Sequence, residues 1–203
     1  MSLDPSSPAS APSANHPASN PAVSPVASGA ARTRLHQRRI HMEGFRREDG
    51  LWDIEGRLTD VKDYDFGHIT EMTRAGTPVH DMWLRITVDR NLMIVDAAAH
   101  MDSRPYPGTC EQITPDYRKL IGLQIAPGFS NAVRRALGGI AGCTHLSEMV
   151  GSLATTAFQT LAGERNLMPE TVQPPHLDRC HALDVRGTVV QEHYPRWYQP
   201  TLR

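Results

Sequence analysis

Thiols and imidazoles are the groups in this 203-residue chain whose types and spacing could do chemistry. Cysteine occurs at positions 110, 143 and 180, and histidine occurs ten times. The cysteines stand too far apart for a CxxC zinc ribbon or a disulfide framework, and so odd and sparse a set predicts reduced thiols. Cys143 is the most suggestive, because Gly142-Cys143-Thr144-His145 precedes a long helical pattern. At a helix start, unpaired amides and the macrodipole favour a thiolate. Cys110 closes the turn-rich segment Tyr106-Pro-Gly-Thr-Cys110, and His80 stands at the start of an alternating strand. Two thiols and one or two imidazoles arriving at loop ends and a helix start make a donor set for zinc or iron, which such ligands hold in fours. His80, Cys110, Cys143 and His145 are the predicted ligands. Taken singly, each has a plainer reading as a small buried residue or a satisfied polar group, so shared chemistry requires that they converge. Cys180-His181 is a further pair that nothing in the pattern places near the others.

Convergence depends on a hairpin. Met82, Leu84, Ile86 and Val88 alternate with polar positions, and the returning segment alternates as Met93, Val95, Ala97, Ala99 and Met101. A two-residue connection at Arg90-Asn91 sets Val88 opposite Met93, Ile86 opposite Val95 and Leu84 opposite Ala97. A three-residue loop would set Leu84 against Asp96 and bury a carboxylate, so the first register is predicted. It leaves His80 facing Met101 at the open end, on the core side, with Asp81 beside it.

Upstream, Asp49-Gly50 marks a turn before a half-buried strand in which Trp52, Ile54 and Leu58 share one face. Asp60, Asp63 and Asp65 with Lys62 read as a solvated strand end, residues 67–78 as a loop, and the basic stretch 32–39 as a solvated lead-in. Downstream, Thr114-Pro115 predicts the start of a short helix to about Ile121, and Ser130–Leu137 another, closed by Gly138-Gly139. Leu146, Met149, Val150, Leu153, Ala157, Phe158 and Leu161 define an amphipathic core helix from Thr144. Thr188–Val190 reads as a short terminal strand. The predicted class is α+β, a small antiparallel sheet of three or more strands backed by helices.

Composition narrows the function. Residues 1–31 hold six Pro, eight Ser and eight Ala with Asp4 as the only charged side chain, a stretch predicted to be a disordered tail ahead of a single domain over residues 32–203. The remainder balances 21 basic against 21 acidic residues, so no phosphate-neutralising excess points to nucleic acid. No run of 18 apolar residues suggests a membrane span, and neither a secretory signal nor a transit peptide is recognisable, which predicts a cytoplasmic protein. Glycine-rich phosphate loops, a GxSxG elbow and an HExxH helix are all missing from the sequence.

Two resemblances follow from the residues quoted. His41 to Lys62, containing Arg-Arg-Glu-Asp-Gly-Leu-Trp-Asp-Ile-Glu-Gly, together with Leu-Gly-Gly-Ile-Ala-Gly-Cys143-Thr-His-Leu, resembles a bacterial domain-of-unknown-function family, number 2889, over nearly all of residues 34–198. That family implies no activity. Val79-His80-Asp81 with its strand, then Ile94-Val-Asp-Ala97, Cys110, and Cys143 opening a helix, is similar to the U-type iron–sulfur cluster scaffolds. This likeness implies a three-stranded sheet with ligands at one end: Cys110 and Cys143 as the second and third cysteines, Asp81 as the aspartate, and His80 in the first cysteine's place. The histidine there, and Cys143-Thr-His145 in place of a His-Cys order, weaken cluster assembly and leave metal binding. Three function classes result: a zinc- or iron-binding accessory or scaffold-like domain, a cysteine-dependent enzyme pairing Cys143 with His80 or His145, and a non-catalytic module that binds a protein partner or a small apolar ligand.

Overall fold

The computed structural model describes residues 29–67, 72–165 and 171–200, so the predicted disordered tail falls almost wholly outside the described residues. Two units divide the chain, Met1–Arg34 and Leu35–Arg203, and all that follows concerns the second. Its centre is a four-stranded antiparallel sheet in the order β1-β2-β5-β6: β1 His36–Arg46, β2 Trp52–Lys62, β5 Pro78–Val88 and β6 Ile94–Ser103. Two-residue strands β3 (Phe66–Gly67) and β4 (Met72–Thr73) pair with each other within the stretch predicted as a loop. A 3-10 helix at Cys110–Leu120, then α1 (Phe129–Leu137) and α2 (Thr144–Arg165), complete the body. The α+β class predicted from the pattern is what the structure shows.

Alternation makes the sheet one-sided. Trp52, Ile54 and Leu58 of β2 and Met82, Leu84, Ile86 and Val88 of β5 are buried against Leu146, Met149, Leu153, Ala157 and Leu161 of α2. The opposite face is a polar lattice. Arg57 grips Asp81 through two hydrogen bonds of 2.8 and 2.7 Å and lies over the Trp83 ring at 4.7 Å, while Arg85 donates to Asp96 at 2.7 Å.

Several expectations are corrected. The hairpin closes with Val88 opposite Ile94, and a bulge then pairs Ile86 with Ala97, Leu84 with Ala99 and Met82 with Met101. Beyond the bulge this register differs by two residues from the predicted one, which keeps Ala97, Ala99 and Met101 inward because the period is two, while the predicted inward Val95 is exposed and Ile94 takes its place. The longer turn is stabilised by the Asp89 carboxylate, which accepts the amides of Asn91 and Met93 at 2.8 Å each, and by Leu92 in the left-handed region at φ 62°. Val95 is pushed outward, so Ile94 and Ala97 both reach the core. Residues 36–39 are part of an edge strand instead of a lead-in. The helix placed at Thr114 starts at Cys110, with Pro115 inside it. Thr188–Val190 begins a helix, α3 (Thr188–His193), because Val190 turns into a separate small cluster with Leu177 and Val185 and no described strand pairs with it. No helix among the described residues is long and apolar enough to cross a membrane.

One close approach sets how α2 lies on β1. A Cβ built on Gly44 would collide with the Thr160 side chain, so only glycine lets the helix sit where it does. Gly44→Ala is expected to destabilise the fold by about 1–3 kcal/mol and Thr160→Ala to recover part of that loss in the double variant, since the Cβ at 160 stays close, read from urea unfolding.

Candidate metal centre

Three neighbouring strands place one residue each on a single rung of the sheet. Asp60 of β2 is directly opposite Arg38 of β1 on one side and His80 of β5 on the other, and all three side chains point toward the helices. A bulge follows at once, where Val61 pairs with Pro78 instead of Val79. The first turn of α2 then lowers His145 onto this rung, its ring stacked on that of His80 with centroids 3.9 Å apart and a 34° tilt.

Asp60 is the hub. Its carboxylate is only 4% exposed. Oδ1 accepts from Arg38 Nε at 2.8 Å and lies 2.8 Å from His36 Nε2; Oδ2 accepts from Arg38 Nη2 at 2.7 Å and lies 3.0 Å from His80 Nδ1 and 3.8 Å from His145 Nε2. Burial by itself would push this acid up, but the hydrogen bonds from Arg38 and His36 outweigh it and hold Asp60 at about 2. Burial, with the neighbouring His145, pushes His80 down to about 4 despite the carboxylate beside it. His145 is lowered as well, first by burial and then by Arg38. The site therefore pairs a firmly ionised carboxylate with two imidazoles that are neutral at neutral pH, the protonation states a divalent cation requires of its ligands. One donor atom each from Asp60, His80 and His145 lies within 4.8 Å of the others. Tetrahedral zinc needs donors roughly 3.3 Å apart given bonds near 2.0–2.1 Å, a contraction within the reach of side-chain rotation. Arg38 opposes a cation, since its bidentate grip already neutralises Asp60.

Tyr117 positions the helix start. Its ring is fully buried, and its hydroxyl accepts the Cys143 amide at 3.0 Å while lying 3.0 Å from the Cys143 carbonyl and 2.8 Å from Ser147 Oγ. The Cys143 carbonyl accepts the first helical bond, from Ser147 at 2.9 Å. Cys143 Sγ thereby comes to 3.9 Å from His145 Nδ1, on the ring edge away from Asp60.

The residues singled out in the sequence part company here. His80 and His145 are brought together, and Cys143 stands beside His145 outside the three-donor group. Asp81 projects from the opposite face of β5 into its pair with Arg57. Cys110 packs on the apolar core at the start of the 3-10 helix and contributes no donor to the cluster. Cys180 is exposed, and His181 begins a separate short 3-10 turn. Asp60, read as part of a solvated strand end, is instead the most buried member. The signal for it was the alternation Trp52, Ile54, Leu58, which continued by two carries Asp60 to the inner face. Arg38 and His36 left no such trace, since strand β1 has no apolar alternation of its own.

The fold and rung define a class, a one-sided α+β domain with a buried carboxylate–imidazole cluster where the sheet meets a helix N-terminus. The chain belongs to the family described as protein of unknown function DUF2889, whose model matches residues 36–159. That span opens on the first residue of β1 and ends inside α2, so it encloses the whole sheet and every member of the cluster. No curated protein and no solved structure matches the chain.

Two outcomes test the site's physics. His80 is depressed from 6.5 to about 4 in the fold, so the unfolded chain binds its proton first. Stability should fall by about 1.4 kcal/mol per pH unit as pH drops from 6.5 toward 4. Asp60, lowered from 3.8 to about 2, adds a slope of the same sign that sets in only as pH nears 4 and continues below it. Urea unfolding across pH should show the slope, and His80→Gln should remove the His80 share of it while leaving the share from His145, which is lowered as well. Tyr117→Phe should destabilise the protein by about 1–2 kcal/mol, and amide exchange should quicken selectively at Cys143–Ser147.

Proposed function

We propose that this domain binds one divalent transition metal, zinc or ferrous iron, through Asp60, His80 and His145, and acts as a metal-holding accessory domain. The observation that carries the reading is the meeting of three donors within 4.8 Å in protonation states suited to a cation. One carboxylate oxygen and two imidazole nitrogens suit zinc and iron better than magnesium or calcium, which prefer all-oxygen sites. Three protein donors leave a coordination position for water or a small ligand. Arg38 and His36 fix the orientation of Asp60, and a bound cation has to share that carboxylate with the guanidinium. Cluster assembly of the iron–sulfur scaffold kind would need Cys110 and Asp81 in the ligand set. Their positions favour a mononuclear ion instead.

Elemental analysis of protein purified without chelator should find about one zinc or iron per chain, and His145→Ala or Asp60→Asn should weaken zinc binding by at least about 100-fold. Asp81→Asn should leave the stoichiometry unchanged. Zinc binding that is weaker than micromolar, or indifferent to both ligand variants, overturns the proposal.

A cysteine-dependent reaction is the second reading, favoured by the line Cys143 Sγ, His145, Asp60 with gaps of 3.9 and 3.8 Å. In it the imidazole accepts the thiol proton at Nδ1 while the carboxylate orients Nε2. Metal-free protein should then be alkylated stoichiometrically at Cys143, and His145→Ala should slow that reaction at least about tenfold. Equal rates in the two proteins would remove this reading and leave the metal proposal intact.

A further inference from the structure

The two edges of the sheet are treated differently. At the start of β6 the chain covers its own edge: the Ile94 amide donates to the Leu123 carbonyl at 3.0 Å, the Gly122 amide donates to the Ile94 carbonyl at 2.8 Å, and Met93 bridges to Gln124. At β1 no described segment bonds to the outer edge. This strand is 11 residues long, contains no proline, and runs against β2 without the register shifts that interrupt the β2–β5 and β5–β6 ladders. Natural edges are usually shortened, bulged or broken, because a straight row of unpaired amides and carbonyls is a template for another strand. Alternate residues of β1 turn those groups away from β2.

We infer that β1 is a self-pairing edge, at which a second copy of this chain adds its own β1 antiparallel across a two-fold axis to make one continuous eight-stranded sheet. The occupant follows from the side chains. In the register centred on His41, which pairs all of β1 with its copy, Arg39 lies opposite Glu43 and Ile40 opposite Met42, each pair occurring twice by symmetry. Arg39 and Glu43 share the outer face of the sheet, and Ile40 and Met42 the helix-bearing face. Moving the axis to Ile40 would set Arg39 against His41, and moving it to Met42 would set Arg38 against Arg46. The His41 register alone among these sets an arginine against a carboxylate. Within one chain Arg39 has no partner among the described residues, and Glu43 has only the exposed His41 at 3.5 Å. Ile40 and Phe45 are 38% and 44% exposed along the same edge. In this register Arg38 lies opposite Gly44 of the copy, and within its own chain it holds Asp60 and Glu148 at 2.7 and 2.6 Å.

Sedimentation velocity of the full chain over a concentration series tests this directly. Wild-type protein should dimerise in the micromolar range. Arg39→Glu and Glu43→Arg, each of which sets two like-charge pairs across the axis, should each raise the dimer dissociation constant by about tenfold or more, with unchanged circular dichroism. An equimolar mixture of the two variants should regain the wild-type constant, because each chain then supplies the charge the other lacks. A wild-type chain that stays monomeric at submillimolar concentration, single variants that dimerise like wild type, or a mixture that fails to recover would each overturn the proposal.

Discussion

A carboxylate taken out of water has to be compensated where it stands, and Asp60 imposes that requirement on this domain. An ion of that size loses several kcal/mol of hydration on burial even after the surroundings relax. The structure offsets the loss by fixing a guanidinium on one neighbouring strand and an imidazole on the other, at the same rung. That rung also locks registers. Shifting β1 or β5 by one residue against β2 would turn Arg38 or His80 to the wrong face and leave the carboxylate uncompensated. A polar group that is costly to bury thus selects one pairing of three strands, while the apolar alternation selects only the face. The same group makes the site available to chemistry, because it fixes an ionised oxygen beside two neutral nitrogens.

The helix is held to the rung by a different device. Tyr117 comes from the 3-10 segment and ties down the backbone on both sides of the Cys143 peptide. Its hydroxyl bonds the amide and the carbonyl of Cys143, the residue just before the helix, so the start of α2 is anchored by an aromatic ring set in the core. His145 reaches Asp60 as a consequence, and Cys143 is left on the flank. Sheet and helix therefore contribute to the cluster through independent supports, one electrostatic and one made by packing and hydrogen bonds.

Much of this was legible from residue order. The inner faces of β2, β5 and α2 follow from apolar periods of two and of three to four, and their agreement with the buried set rests on burial being the largest favourable contribution. His80, His145 and Cys143 were reachable because a strand and a helix start carry them to the same end. Strand β1 was not, since an edge strand with exposed residues needs no apolar alternation and its arginines and histidines read as a charge run. The β6 register was missed because turn length depends on Asp89 capturing two amides and on Leu92 adopting a left-handed backbone, both local geometries that no period reveals. Asp60 lay between these cases. Its parity with Trp52, Ile54 and Leu58 pointed inward, while its neighbours Asp63 and Asp65 suggested solvent.

Gly44 and Thr160 have a consequence beyond local fit. They meet near the C-terminal end of α2, and His145 rests on Asp60 near the other end, so the two contacts together fix the line along which the helix crosses the sheet. At 1.5 Å of rise per residue the arm from Thr160 to His145 is about 22 Å, and a tilt of about 5° would carry the imidazole by about 2 Å. A displacement of that size is enough to open or close the gap between the ring nitrogen and the carboxylate. The steric stop at the glycine is thus a remote calibration of donor spacing, set by the absence of a single methyl group.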